Sequence, residues 1–322
     1  MGEFAQTGIE DAAALLALAL TPGIGQESVR LVLESANRAG RALCDLLALP
    51  LREMVMVLPA RRDALAKRIT EQTPALRETA RRLVTEVIGH GGRFLGLTDP
   101  RYPQTLRRHL RGSAPPLLFF EGDPGLLSSP AIAVVGTRTP SQTGRTVAAG
   151  MARFAAKSRA VLVSGAAEGI DAEAHRIALD EGGMTIAVLP QGLLRYTPPE
   201  YLRRALAERR ALLVSQFPPD LPWQRYAAVT RNNVIAGQAR LVLVVEPRKQ
   251  GGSVRTGLAA RLQGKTVAVW QQDASGLAHV MAGAGCVNLG GQSGVRLERE
   301  LHGLWRQSEA LEAQPGELWL TS

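Results

Sequence analysis

Between residues 8 and 90, apolar positions recur at helical spacing through Ala12–Leu20, Val29–Leu33, Leu43–Leu49 and Leu76–Ile88. Each stretch can therefore bury one face of a helix. Pro22, Gly25, Pro50, Pro59 and Pro74 interrupt the pattern, which predicts several helices in place of one long one. Residues 91–130 carry Asp99-Pro-Arg-Tyr-Pro103, Pro115-Pro116 and Gly122-Asp-Pro-Gly125. Proline at this density fixes an extended path and breaks helices. The segment is expected to be a connector whose Leu117–Phe120 joins a sheet as an edge strand.

From residue 131 the period changes. Ala131–Val135, Ala160–Val163, Thr185–Leu189, Ala211–Val214, Leu241–Val245 and Thr266–Val269 are short and apolar throughout, as for strands buried on both faces. Amphipathic stretches alternate with them, among them Gln142–Ala156, Asp171–Glu181, Pro199–Arg209 and Ser253–Leu262. The alternation predicts an α/β, doubly wound, mainly parallel sheet. The expected division is a helical domain over 8–90, the connector over 91–130, an α/β domain over 131–290 and a short extension over 291–322. Leu297–Leu311 is expected to be one helix, and the segment is too short for a full winged-helix domain.

Charge changes the picture more than composition does. The net charge is +9, and residues 121–272 alone carry +8, whereas 273–322 carry −3. A basic excess gathered in the middle suits a polyanionic partner. Only Lys67, Lys157, Lys249 and Lys265 among the 38 basic residues are lysines, and arginine makes planar, bidentate contacts with phosphate. A GC-rich genome that favours arginine codons explains the same bias.

Other classes are disfavoured. The longest N-terminal apolar run, Ala12–Leu20, follows Glu10 and Asp11 and falls short of the ~20 residues that span a bilayer. It also lacks a positive leading region, so a cytoplasmic protein without membrane attachment is expected. Two cysteines, Cys44 and Cys286, and five scattered histidines make neither a disulfide framework nor a recognisable metal site. No metal or cofactor is expected.

In a doubly wound sheet, ligands bind beyond the carboxyl ends of the strands. The residues there are Gly136-Thr-Arg138-Thr-Pro-Ser-Gln-Thr-Gly144, Ser164-Gly165-Ala-Ala-Glu168-Gly169-Ile-Asp171 and Pro190-Gln-Gly192. Gln216-Phe-Pro-Pro219 leads on to Arg231-Asn-Asn233, and the last strand of this group opens into Glu246-Pro-Arg248-Lys249-Gln-Gly-Gly252-Ser253-Val-Arg255-Thr256. Glycines, hydroxyls, amides and arginines with few carboxylates form an inventory for phosphate. Gly264-Lys-Thr266 is no Walker tail, because Ala259 stands where the first glycine belongs and a strand follows. Gly136-Thr-Arg138 departs from the dinucleotide fingerprint. Asp171 and His175 share a helix face and offer an acid–base couple; helix-dipole stabilisation by Asp171 is the preferred reading. Thr21-Pro-Gly-Ile-Gly25 before Ser28–Leu33 reads as a helix–hairpin–helix turn, or as a plain tight turn between packed helices.

Taken in order, Tyr102-Pro103, Gly122-Asp-Pro124, Val135-Gly-Thr-Arg138, Ser164-Gly-Ala-Ala-Glu-Gly-Ile-Asp171 with Ala174-His175, Thr185-Ile-Ala-Val-Leu189, Ser215-Gln-Phe-Pro218, Arg231-Asn-Asn-Val-Ile-Ala-Gly237 and Gly252-Ser253 resemble the DNA-processing protein A (DprA, Smf) family over roughly residues 95–290. The resemblance implies a Rossmann-like domain preceded by a helical domain of sterile-alpha-motif type. It implies a non-enzymatic, dimeric single-stranded DNA-binding protein that helps load the RecA recombinase in natural transformation. Carried over by position, Gly136, Thr137, Arg138, Ser164, Gly165, Gly169, Arg231, Asn232, Asn233, Gly252, Ser253 and Thr256 are the expected DNA-binding residues. Arg248, Lys249 and Arg255 are added on charge. Tyr196, Phe217, Trp223 and Tyr226 lie near these loops as base-stacking candidates, with core packing the preferred reading of each taken singly.

Two departures bear on the site. Glu168 stands where many relatives carry a basic residue, and Tyr226-Ala-Ala-Val-Thr230 replaces a more basic stretch. The alternative reading is a nucleotide sensor or nucleotide-processing enzyme similar to the "lonely guy" phosphoribohydrolases. Those carry Pro-Gly-Gly-x-Gly-Thr-x-x-Glu, whereas Gln250-Gly-Gly-Ser-Val-Arg-Thr-Gly-Leu-Ala lacks the glutamate.

Overall fold

Six helices precede the first strand in the computed structural model, which describes residues 6–249, 251–273 and 276–313. They are α1 (Gln6–Leu20), α2 (Gln26–Arg38), α3 (Leu43–Leu47), α4 (Leu51–Val57), α5 (Asp63–Thr70) and α6 (Pro74–Gly89). Two of the prolines sit at helix starts, and Pro22 and Pro59 lie between helices. Pro50 is the N-cap of α4, and Pro74 opens α6 behind Thr73, whose hydroxyl accepts from Leu76 N–H. Proline at a first turn loses no hydrogen bond. The α1–α2 turn has Gly23 at φ +76°, and its carbonyl accepts from Arg68 Nη1 at 2.7 Å.

The sheet begins earlier than its apolar runs predict. β1 (Arg93–Gly96), α7 (Gln104–Leu110) and β2 (Leu117–Gly122) all lie in the proline-rich segment. β2 is not an edge, because β1 pairs antiparallel along its outer side, Phe94 facing Phe119, while β6 pairs on its inner side. Four residues are too few to show a period of two, so β1 was invisible in the pattern. The intervening loop is tied internally. Tyr102 donates its hydroxyl proton to Pro115 O at 2.9 Å, and Arg107 donates to Leu97 O and Asp99 O.

Alternating elements follow: β3 (Ala131–Gly136), α8 (Gln142–Lys157), β4 (Val161–Ser164), α9 (Ile170–Asp180), β5 (Met184–Val188), α10 (Glu200–Ala207), β6 (Ala211–Ser215), α11 (Arg225–Thr230), α12 (Asn232–Gln238), β7 (Leu241–Val245), α13 (Gly252–Leu262), β8 (Thr266–Trp270), α14 (Leu277–Gly283), β9 (Val287–Asn288) and α15 (Gly294–Ala313). The strand order is β1-β2-β6-β5-β4-β3-β7-β8-β9, and β3 to β9 are mutually parallel. The chain leaves β3 toward β4, while β7 lies on its other side, so the topological switch point falls between β3 and β7.

Apolar burial holds both faces. Leu106, Ile235, Val254 and Met281 from α7, α12, α13 and α14 cover one. Phe154, Ala174, Leu301 and Trp305 from α8, α9 and α15 cover part of the other. The rest of that face meets the first helices: Leu15, Leu46, Leu83 and Val87 share a core with Phe119, Leu189 and Leu213. Each such side chain contributes about 1.5–3 kcal/mol, so the helical unit is stapled to the sheet by burial. Among the described residues, no helix is long and apolar enough to cross a membrane.

Candidate nucleic-acid interface

The loops after β3, β4, β5 and β7 meet at the carboxyl edge of the sheet, in two layers. The lower layer is buried. Arg231, between α11 and α12, is 6% exposed and lies so close over Gly165 that any Cβ there would collide with its guanidinium. Its Nη1 donates to Val188 O at 2.7 Å. Burial lowers its pKa to about 10, with Asp171 opposing the shift and Arg138 adding to it. Asp171 opens α9 and accepts from Gly165 N–H at 3.1 Å. Burial raises its carboxyl pKa, and the Arg231 charge and the loop N–H groups oppose this. Ser164 donates to Val134 O at 2.6 Å, Asn232 to Gly252 O at 3.2 Å, and Thr256 also to Gly252 O. Ser253 and Thr137 are buried as well.

The upper layer is open. Arg138, Thr139, Glu168, Asn233, Arg248, Lys249, Gly252 and Arg255 are all exposed. The Arg138 backbone packs against the loop after β4 at a turn that favours glycine: Gly169 has φ +83°, and a Cβ there would stand 2.6 Å from the Arg138 carbonyl carbon. Half-buried Gly136 continues β3 into this turn. Arg248 donates to Thr139 Oγ1, joining the loop after β3 to the loop after β7. Asn233 carries its side chain outward while its carbonyl accepts from Gln263 Nε2.

The structure therefore divides the sequence-predicted set. Arg138, Asn233, Arg248, Lys249, Gly252 and Arg255 form the accessible rim. Ser164, Gly165, Arg231, Asn232, Ser253 and Thr256 form the buried floor that shapes it. Burial decided this division, and residue type alone does not reveal it. One expectation needs correction. Trp223 and Tyr226 do not pack in the core and are 49% and 59% exposed, whereas Phe217 is buried, edge-on to Tyr226, and half-buried Tyr196 packs against the core. Asp171 and His175 do not pair as acid and base, in keeping with the preferred reading: Asp171 lies in the first turn of α9 and accepts from Gly165 N–H, while His175 is committed to Thr185. Sequence reasoning passed over Thr139, Ser141 and Glu246, which link the two loops at the switch point and carry no motif of their own.

His175 is fully buried, with Nδ1 2.6 Å from Thr185 Oγ1. Thr185 spends its single proton on Leu162 O, so it accepts from His175 Nδ1–H, and the bare Nε2 has no partner. Burial, helped by the Arg231 charge, lowers its pKa to about 3. The unfolded histidine, near 6.5, binds the proton first. Its contribution to stability is complete above that value and is lost as pH falls toward 3, with a slope of about 1.4 kcal/mol per pH unit. Urea unfolding of the wild type and His175→Asn at pH 7.5, 6.5 and 5.5 is expected to show this loss only in the wild type. A pH-independent difference between the two would refute it.

The model of the DNA recombination-mediator protein A family matches residues 93–294, the span that holds the whole sheet and every loop of this edge. The chain belongs to that family. A DNA processing protein DprA of Mycobacterium tuberculosis is 33% identical over 245 residues, covering 71% of this chain and 61% of the relative. Protein Smf of Escherichia coli is 39% identical over 155 residues, 48% of this chain and 41% of its own. The chain thus spans about three-fifths or less of the length of these relatives. Among solved structures, DprA from Streptococcus pneumoniae superposes with a TM-score of 0.68 at 26% identity, covering 88% of this chain and 95% of that one. A Helicobacter pylori DprA shares the fold at 23% identity, with a TM-score of 0.55 over 66% of this chain and 96% of its own.

Proposed function

We propose that this chain is a single-stranded DNA-binding recombination mediator that acts through the loop edge of its sheet. The observation that carries the reading is the exposed rim of Arg138, Arg248, Lys249 and Arg255 above the buried floor around Arg231. Such a rim follows a phosphate backbone without reading bases, and exposed Trp223 and Tyr226, just before and within α11, offer faces on which unpaired bases stack. Duplex DNA hides those faces. The Helicobacter pylori protein of this fold is described by its single-stranded DNA binding mode, which supports the same partner here. Binding without catalysis fits the site, since Asp171 and His175 are buried and engaged. A homodimer that delivers the strand to RecA in the cytoplasm completes the proposal, on the strength of the family.

The test is fluorescence anisotropy with a labelled ~30-nucleotide single strand and its duplex across a salt series. Several-fold preference for the single strand, falling steeply with salt, is expected. No binding, or equal weak binding to both, would overturn the reading. In the same assay Glu168→Gln is expected to tighten single-strand binding about threefold, because an exposed carboxylate among the arginines repels phosphate. Unchanged or weaker binding would remove Glu168 from the strand's path.

A further inference from the structure

Glu246 breaks the pattern of the site. It is a carboxylate at the switch point of an anion-binding edge, and it takes a left-handed backbone conformation at φ +47° that is unusual for a residue with a side chain. Its N–H stays in register, donating to Trp270 O at 2.8 Å. The side chain turns back across the switch point to the loop after β3. There Oε2 accepts from Ser141 N–H at 2.9 Å, and Oε1 accepts from the Ser141 hydroxyl. The same hydroxyl accepts from Gly144 N–H at 3.0 Å and so caps α8. Gly144 leaves the room required: a Cβ there would stand 2.6 Å from the Glu246 carboxyl carbon. Two residues on, Arg248 donates to Thr139 of that loop.

We infer that Glu246 is a positioning residue that clamps the loop after β3 to the loop after β7 and so sets the separation of Arg138 and Arg248 presented to a DNA strand. The inference rests on the DNA-binding reading above for its consequence, though not for the clamp itself. Its sign is what distinguishes it. Removing a carboxylate from a basic surface strengthens attraction for a polyanion, and that is the expectation at free Glu168. At Glu246 the same removal releases the loops, and the arginines no longer engage the strand together.

The experiment compares the wild type, Glu246→Ala and Glu246→Gln as full chains. Hydrogen–deuterium exchange over residues 137–144 reads the clamp without DNA. Anisotropy against salt reads how many phosphates are engaged, a slope of about 0.7 per phosphate for a single strand, which a loss of folded protein does not alter. Glu246→Ala is expected to speed exchange over 137–144 while β4 and β5 stay protected, to weaken binding about tenfold, and to lower the slope by about one phosphate. Glu246→Gln keeps a carbonyl for Ser141 N–H and is expected to fall between the two. Unchanged exchange in Glu246→Ala overturns the clamp. Faster exchange with equal or tighter DNA binding and an unchanged slope overturns its role in positioning the arginines. A wild type that binds no single strand defeats the DNA reading separately, and the exchange result still decides the clamp.

Discussion

Arg231→Ala is expected to destabilise the protein by about 3–5 kcal/mol, from the space it empties in the floor and the buried hydrogen bond it removes. The substitution leaves Asp171 buried without the guanidinium that favours its ionised form, frees Val188 O, and opens space above Gly165. Arg231→Met fills most of that space without the charge, so it separates the packing loss from the electrostatic one. A melting temperature lower by about 10 °C is expected for Arg231→Ala. Adding Asp171→Ala is expected to return part of the loss, because the uncompensated carboxylate goes with it. Thermal unfolding of the four proteins measures this. A loss for Arg231→Ala within about 1 kcal/mol would mean that water reaches the floor and that the two charges are independent.

Neutralising the rim is expected to act in the opposite way, on binding and not on folding. Arg138, Arg248 and Lys249 are exposed, so replacing all three by Ala removes little buried area and few internal contacts. Each lost phosphate contact costs about 1 kcal/mol, and together they are expected to weaken single-strand affinity about a hundredfold. The salt slope should fall by about 2, at 0.7 for each phosphate no longer engaged. The melting temperature is expected to stay within a few degrees of the wild type. Retained affinity with an unchanged slope would place the strand elsewhere on the molecule.

These two predictions separate residues that look alike in the sequence. Arg138 sits in a short motif at the end of β3 and Arg231 in one between α11 and α12, and both match the family's pattern. The type and place of each were legible. Their division of labour was not, because it depends on how deeply each guanidinium lies. Gly165 and Val188 draw Arg231 down, whereas the Gly169 turn holds the Arg138 backbone at the surface. For Trp223 and Tyr226 the sequence reading favoured the core. Hydrophobicity promotes burial only where another element supplies a matching surface, and at this edge the described elements leave both aromatics about half open.

What the sequence by itself determined follows from local periodicity and composition. Six apolar runs became β3 to β8 within a residue or two of their predicted bounds, because a strand buried on both faces needs an uninterrupted apolar run. The helices between them, the glycine- and arginine-bearing loops at the strand ends, and the central positive charge were also legible. The tertiary structure alone decided what depends on partners distant in the chain. It made β2 an inner strand by adding the four-residue β1, and it merged the first helices into the sheet's core through Phe119 and Leu213. It also brought Glu246 to Ser141, 105 residues away. No pattern along the chain encodes that last contact, because it exists only where a parallel sheet sets the end of β7 beside the end of β3.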